Sequence, residues 1–284
     1  MISYSLTVLA VVGGTLVPAY LALYSDTRLK KVATCYLAAA GLGLTFWFFL
    51  DTMGDAAYLD VNSPISPISE FGGVAHLAII GVFCAGFVAL AAFDYYAVPR
   101  LSSPSGAASD GSTDSRLSKS LVLIPIAVAA VMGIHGLGEG WDIGSVAAVA
   151  PSSNIIDAFG GGWSPVVSYL MHKFLEATII AAVYECFVGR SPIASKARWH
   201  LPVLGLLFGL TSVIGSMVGY YVAFDTAYFY AFGVTSAFYA AVRLAEGMIR
   251  PTGFGAVSPS YLGWRMFVAM GIGFFLLYFA ALFH

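Results

Sequence analysis

The chain has 284 residues, of which 59% are hydrophobic and only 10% are charged, and its formal net charge at pH 7 is −2. Soluble domains usually carry about 25% charged residues, which they need to cover a water-facing surface. The 13 basic and 15 acidic residues leave no basic excess for binding nucleic acid. The composition therefore predicts an integral membrane protein and excludes a disordered chain and a nucleic-acid partner.

Eight apolar runs have about the length that an α-helix needs to cross a bilayer, which is roughly 20 residues. They lie near residues 3–24, 31–50, 72–97, 120–148, 164–188, 200–223, 226–248 and 261–283. The runs are rich in Ala, Leu and Gly and lack the short alternating segments of an outer-membrane barrel. The sequence therefore predicts an all-α fold of eight transmembrane helices that form one membrane domain, residues 1–284.

The positions of the basic residues predict the orientation of these helices. If both termini lie outside, twelve of the 13 basic residues fall in or near the inner loops, as the positive-inside rule requires. These twelve are Arg28, Lys30, Lys31, Arg100, Arg116, Lys119, Arg190, Lys196, Arg198, Arg243, Arg250 and Arg265. We expect residues 100–118 to be a flexible inner linker, residues 51–71 to be an acidic outer loop, and the protein to lie in a plasma (inner) membrane.

Two predicted helices carry a histidine followed four residues later by a glutamate. His135 and Glu139 lie in helix four, and His172 and Glu176 lie in helix five. Positions i and i+4 share one face of a helix, so each pair directs a ring nitrogen and a carboxylate oxygen to one point near mid-membrane. The four side chains suit Zn²⁺ or another borderline divalent cation. A structural clamp, in which the histidines hydrogen-bond the glutamates, is the alternative.

These motifs resemble those of the ZIP (Zrt/Irt-like) family of metal transporters. Residues 135–140 (HGLGEG) are similar to the H-N-x-P-E-G motif of that family's fourth helix, and residues 172–177 (HKFLEA) to the motif of its fifth helix. The resemblance identifies the chain as a divergent member. It implies a ZIP-like bundle that carries a divalent cation toward the cytoplasm. The metal ligands that it implies are His135, Glu139, His172 and Glu176.

The sequence departs from the family's motifs at positions that commonly bind a second metal. Gly136 replaces an amide side chain, and Lys173 replaces a further ligand. We therefore expect one bound metal, with the Lys173 ammonium in the place of a second cation, where it neutralises Glu139 or Glu176. Alternatively, Lys173 points away from the site and extends toward the membrane surface.

Other acidic side chains and a histidine near the predicted helix ends indicate a path for the cation. The residues that could form an outer entrance are Asp51, Asp55, His76 and Asp142. Glu185 and Glu246 approach the inner surface and could mark an exit. Pairing of these two carboxylates with Arg190 or Arg250 is the alternative that we favour for them.

The expected function is metal transport rather than catalysis. Histidine and carboxylate ligands suit Zn²⁺ best, with Fe²⁺ and Mn²⁺ also compatible, so the metal is a substrate and not a cofactor. The chain contains no GxxxxGK[ST] motif, so an ion gradient or the membrane potential would drive transport. The expected partners are the lipid bilayer, the metal cation and a second copy in a homodimer. The alternatives are a membrane-embedded zinc hydrolase acting on lipid and a metal-binding sensor or subunit that does not transport.

Cysteine labelling tests the predicted orientation. Single cysteines are introduced in place of Asp60 and Gly106 after Cys35, Cys84 and Cys186 have been changed to serine. On right-side-out membranes we expect an impermeant maleimide to label position 60 strongly, and position 106 only after permeabilisation. Labelling at position 106 with none at position 60 would invert the topology.

Overall fold

The computed structural model describes residues 2–24, 27–56, 74–97, 121–149, 163–189, 197–249 and 263–282. Within these residues the chain forms eight α-helices and no β-strand. The helices are α1 (Ile2–Tyr24), α2 (Thr27–Ala56), α3 (Val74–Ala97), α4 (Leu123–Val149), α5 (Trp163–Phe187), α6 (Ala197–Gly219), α7 (Ala227–Ile249) and α8 (Trp264–Ala281). The predicted linker at 100–118 lies outside the described residues.

The composition of the helices confirms the predicted class. Among the described residues, seven helices have the length and apolar character of a membrane span, and α7 is the exception. α7 has 23 residues, but Tyr230, Arg243 and Glu246 are among its polar side chains. The protein is an all-α, multi-pass membrane protein.

α2 is longer than the sequence predicts. The predicted span ends at Leu50 because the next residue is charged, whereas the helix continues to Ala56. Asp51 and Asp55 therefore belong to α2 and not to an outer loop, and residues 57–71 of that loop lie outside the described residues. A charged side chain does not end the helix here because Asp51 faces another polar group, His172 of α5.

α6 begins and ends earlier than the sequence predicts, at Ala197 and Gly219 and not near residues 200 and 223. The helix can end there because side chains of α4 bind the carbonyl groups that follow. Trp141 Nε1 donates a hydrogen bond of 2.8 Å to the carbonyl of Val222, and Ser145 Oγ donates one of 3.2 Å to that of Gly219. Carbonyl groups at a helix end need such partners, above all in a membrane.

α5 lies at the centre of the bundle. It packs against α1, α2, α4, α6, α7 and α8. Every side chain from Ala177 to Glu185 is at most 7% exposed. A helix surrounded by protein can carry charged side chains that lipid would not tolerate. The environment of α5 therefore allows the polar motif at residues 172–176.

α4 and α6 approach each other so closely that glycines contact backbone atoms. A Cβ atom added to Gly140 would lie 2.0 Å from the carbonyl oxygen of Ser212, and one added to Gly215 would lie 2.1 Å from that of Leu137. Gly144 repeats the contact one turn along α4. Small residues spaced by four are typical of tightly packed membrane helices. Helix packing thus explains these glycines of α4 and fixes the position of the helix that carries His135.

A single methyl group tests this packing. Gly140→Ala should destabilise the protein by about 1–3 kcal/mol. The added methyl group would meet backbone atoms of Ser212, which cannot change rotamer as a side chain can. The matched control is Gly271→Ala, where an added Cβ meets no atom within 4 Å. Thermal unfolding in detergent should show a lower melting temperature for the first variant and not for the second. Equal melting temperatures would show that the close approach of α4 and α6 is wrong.

Candidate metal centre

Polar side chains of α4 and α5 meet at the middle of both helices. His135 lies twelve residues after the first residue of α4 and fourteen before its last. Glu176 lies thirteen residues after the first residue of α5 and eleven before its last. Both side chains are buried, with exposed fractions of 1% and 0%. The two motifs therefore face each other at the centre of the bundle.

The four predicted ligands come together there. His135 Nε2 lies 2.9 Å from Glu139 Oε1 and 3.5 Å from Glu176 Oε1. The ligating atoms of these three residues all lie within 4.8 Å of one another, a spacing that could hold one metal ion. His172 Nε2 lies at the edge of this group, 3.2 Å from Glu176 Oε1 and 3.9 Å from Glu139 Oε1. We call these four side chains the metal centre.

Lys173 places its ammonium group between the two glutamates. Its Nζ lies 2.6 Å from Glu176 Oε2 and also contacts Glu139 Oε2. The side chain is 0% exposed, so it does not extend to the membrane surface. The rings of Tyr169 and Phe208 lie with their centroids 5.9 and 5.2 Å from Nζ, a distance at which aromatic rings attract cations. Lys173 is thus a part of the metal centre's immediate surroundings.

Asp51, a predicted entrance residue, lies beside the metal centre. Its Oδ2 is 3.8 Å from His172 Nε2. Its side chain is 29% exposed, whereas that of Glu139 is 14% exposed and that of Glu176 is 0% exposed. The exposed fraction therefore falls from the end of α2 toward the middle of the bundle. We call the end of the bundle where α2 and α4 finish and α5 begins the acidic end.

Of the other predicted entrance residues, Asp142 lies in α4 and Asp55 in α2. Asp142 accepts hydrogen bonds of 2.9 Å from Thr226 and 2.6 Å from Tyr230, which fastens α4 to the start of α7. Asp55 is exposed in the last turn of α2. The side chain of His76 lies outside the described residues. Asp142 accordingly contributes to helix packing at the acidic end.

The predicted exit residues lie in the other half of the bundle. Glu185 is fully buried and follows Glu176 by nine residues, which is roughly two and a half helical turns, so the two carboxylates leave opposite faces of α5. Glu246 pairs with Arg243 of its own helix, and Arg243 also contacts Asp94 of α3. Arg190 and Arg250 lie outside the described residues. Pairing with an arginine thus explains Glu246, and an exit role for either glutamate stays a prediction.

Apolar side chains separate the metal centre from the end of the bundle opposite the acidic end. On α5, Ile180 and Val183 continue the face of Glu176. On α4, Val131 and Val128 continue the face of His135. All four side chains are at most 8% exposed. These two helix faces are therefore apolar between the metal centre and the end of the bundle opposite the acidic end.

A comparison with protein-family models finds no match to the chain, and neither does a comparison with curated proteins. The resemblance to ZIP transporters therefore depends on the sequence motifs of α4 and α5 and stays a prediction.

The charge of Lys173 can be removed with little change of shape by Lys173→Met. Glu139 and Glu176 would then face each other without a cation, and we expect metal-free protein to lose about 3–5 kcal/mol of stability, as for other broken buried ion pairs. Unfolding by SDS titration in the presence of a chelator measures the change. The control is Arg265→Met, which removes an exposed cation at the start of α8 and should change stability by no more than about 0.5 kcal/mol. Equal stability of the two variants would contradict the ion pairs.

Proposed function

We propose that this protein is a transporter that carries one divalent transition-metal cation at a time, Zn²⁺ foremost, across the membrane toward the cytoplasm. The observation that carries the proposal is the group of ligating atoms from His135, Glu139 and Glu176, all within 4.8 Å of one another at the buried centre of a membrane bundle. Each ionisable group in a membrane interior costs at least about 2.5 kcal/mol, so a cluster of them indicates a function. In this proposal the chain is a divergent relative of the ZIP family.

The chemistry of the ligands supports a cation of the zinc class. Two imidazole nitrogens and two carboxylate oxygens are the neutral and anionic donors that Zn²⁺ binds, and iron and manganese accept the same donors. The structure brings three of these donors, from His135, Glu139 and Glu176, within reach of one ion, so a tetrahedral cation would keep a fourth position for water or His172. Such an incomplete ligand shell suits a cation that must be bound and then released.

The formal charges support one divalent cation rather than two. With Asp51, Glu139 and Glu176 ionised, Lys173 protonated and both histidines neutral, as metal ligands are, the formal charge of the group is −2. One divalent ion brings this charge to zero, whereas two would leave +2. A neutral cluster is the least costly to bury, because an uncompensated charge in a low-dielectric interior is strongly destabilising. Lys173 thus serves as a tethered cation in place of a second metal.

The arrangement of charged and apolar side chains supports uptake. The positive-inside rule assigns the acidic end to the outside of a plasma (inner) membrane, where Asp51 attracts cations toward the metal centre. The apolar face formed by Val128, Val131, Ile180 and Val183 then separates a bound cation from the cytoplasm. Release to the inside requires the helices that carry this face to rearrange.

A metal-binding sensor or subunit that does not transport is a second candidate. The contacts of Lys173 with both glutamates favour it, because the ammonium competes with a cation for the same oxygens. The two candidates share the metal centre and differ in whether the cation leaves on the other side.

Uptake of radioactive Zn²⁺ into proteoliposomes tests the proposal. We expect saturable uptake by the wild type and a loss of more than about tenfold in His172→Ala, because losing a ligand weakens metal binding at least as much as losing a group that orients one. The matched control is His200→Ala, since His200 faces Tyr184 at 3.2 Å and not the metal centre. This variant should transport like the wild type.

The outcomes separate the candidates. Zn²⁺ binding without uptake by the wild type would favour the sensor over the transporter. Uptake that His172→Ala and His200→Ala reduce equally would show that His172 is not a ligand. Neither binding nor uptake would contradict both candidates.

A further inference from the structure

His135 lacks the hydrogen bond that usually orients a metal-binding histidine. Its Nε2 faces Glu139 and Glu176. Its Nδ1 is buried and has no hydrogen-bond partner among the described residues. A histidine that binds a metal through one nitrogen nearly always donates a hydrogen bond from the other, which holds the ring in place. Some other contact must therefore keep the His135 ring directed toward the glutamates.

Three groups enclose the ring. The ring of Phe48 meets it edge-on with centroids 4.8 Å apart, and the ring of Tyr230 lies 5.3 Å away. The third group is the backbone of α7 at Gly233. A Cβ atom added to Gly233 would lie 3.0 Å from His135 Nδ1 and 3.2 Å from His135 Cβ and Cγ. Ordinary contacts between such atoms are about 3.5–4.0 Å, so the imidazole already fills the space that a side chain at position 233 would need.

We propose that Gly233 is a positioning residue of the metal centre. The backbone of α7 at Gly233 carries no side chain and packs directly against the His135 ring. This contact keeps Nε2 directed at Glu139 and Glu176. A side chain at position 233 would push the ring away from α7, and Phe48, which is 0% exposed, blocks movement on another side. The ring would have to tilt, and Nε2 would leave the position that a shared metal requires. This inference rests on the proposed metal centre and adds that α7 controls it without supplying a ligand.

Gly86 of α3 provides a matched control. A Cβ atom added there would lie 2.6 Å from Oγ1 of Thr235 in α7. Gly86→Ala therefore disturbs α7 close to position 233 by a shorter contact, but the contact is with Thr235 and not with the His135 ring. A general displacement of α7 would affect both variants, whereas a displaced imidazole would affect only Gly233→Ala.

Cobalt binding to the purified full chain provides the readout, because the visible spectrum of bound Co²⁺ reports the arrangement of its ligands. We expect Gly233→Ala to weaken Co²⁺ binding by about tenfold or more and to change the spectrum. Gly86→Ala should keep the affinity and the spectrum of the wild type. Unchanged binding and spectrum in Gly233→Ala, or the same change in both variants, would overturn the inference while leaving the metal centre intact. A wild type that binds no Co²⁺ would overturn the metal centre and this inference together.

A double-mutant cycle on metal-free protein tests the contact without any metal. Gly233→Ala should lower the melting temperature of the wild type, but have a much smaller effect when His135→Ala has removed the ring. If Gly233→Ala alone does not fold, folding of the double variant gives the same support. An equal loss in both backgrounds, or a double variant that also fails to fold while His135→Ala folds, would overturn the inference.

Discussion

The centre of this protein depends on the ion pairs that the buried ammonium group of Lys173 forms with Glu139 and Glu176. Two ionised carboxylates at mid-membrane repel each other and lack water, and a cation between them reduces both costs. Charged side chains of this kind cannot face lipid. The helix that carries Lys173 and Glu176 must therefore be surrounded by other helices, and α5 is. The same ammonium limits what the site can hold, because it already contributes one positive charge beside the oxygens that would bind a metal.

The proposed ligands belong to α4 and α5, but the shape of the site that they form depends on other helices. α2 contributes Asp51 beside His172 and Phe48 against the ring of His135. α7 contributes Tyr230 and the glycine backbone behind the same ring. α4 in turn is fixed to α6 by contacts between glycine and backbone carbonyl groups. A shift of α2 or α7 relative to α4 and α5 would therefore alter the arrangement of the proposed ligands. Under the proposed function, such a shift would couple cation binding to helix movement.

The sequence predicts those features that are set by local periodicity. Apolar runs locate the eight helices that the structure describes, and the i, i+4 spacing places each histidine on the face of its glutamate. Tyr169 beside Lys173 could have been predicted in the same way, because it lies one turn earlier on α5. The extension of α2 through Asp51 could not, since a charged residue ends an apolar run and only the contact with His172 explains why the helix continues. The contacts of Phe208 with Lys173 and of Gly233 with His135 could not be predicted either. They join helices far apart in the sequence and leave no periodic signal.

The number and position of bound metal ions test the proposed one-cation centre most directly. Anomalous difference maps from crystals of the full chain soaked in Zn²⁺, recorded on both sides of the zinc absorption edge, locate the ions independently of any change in stability. We predict one zinc peak at the metal centre, about 2.0–2.2 Å from donor atoms of His135, Glu139 and Glu176, with the Lys173 ammonium beside it. Two peaks at the centre would contradict the role of Lys173 as a tethered cation. Zinc bound only elsewhere would contradict the metal centre itself.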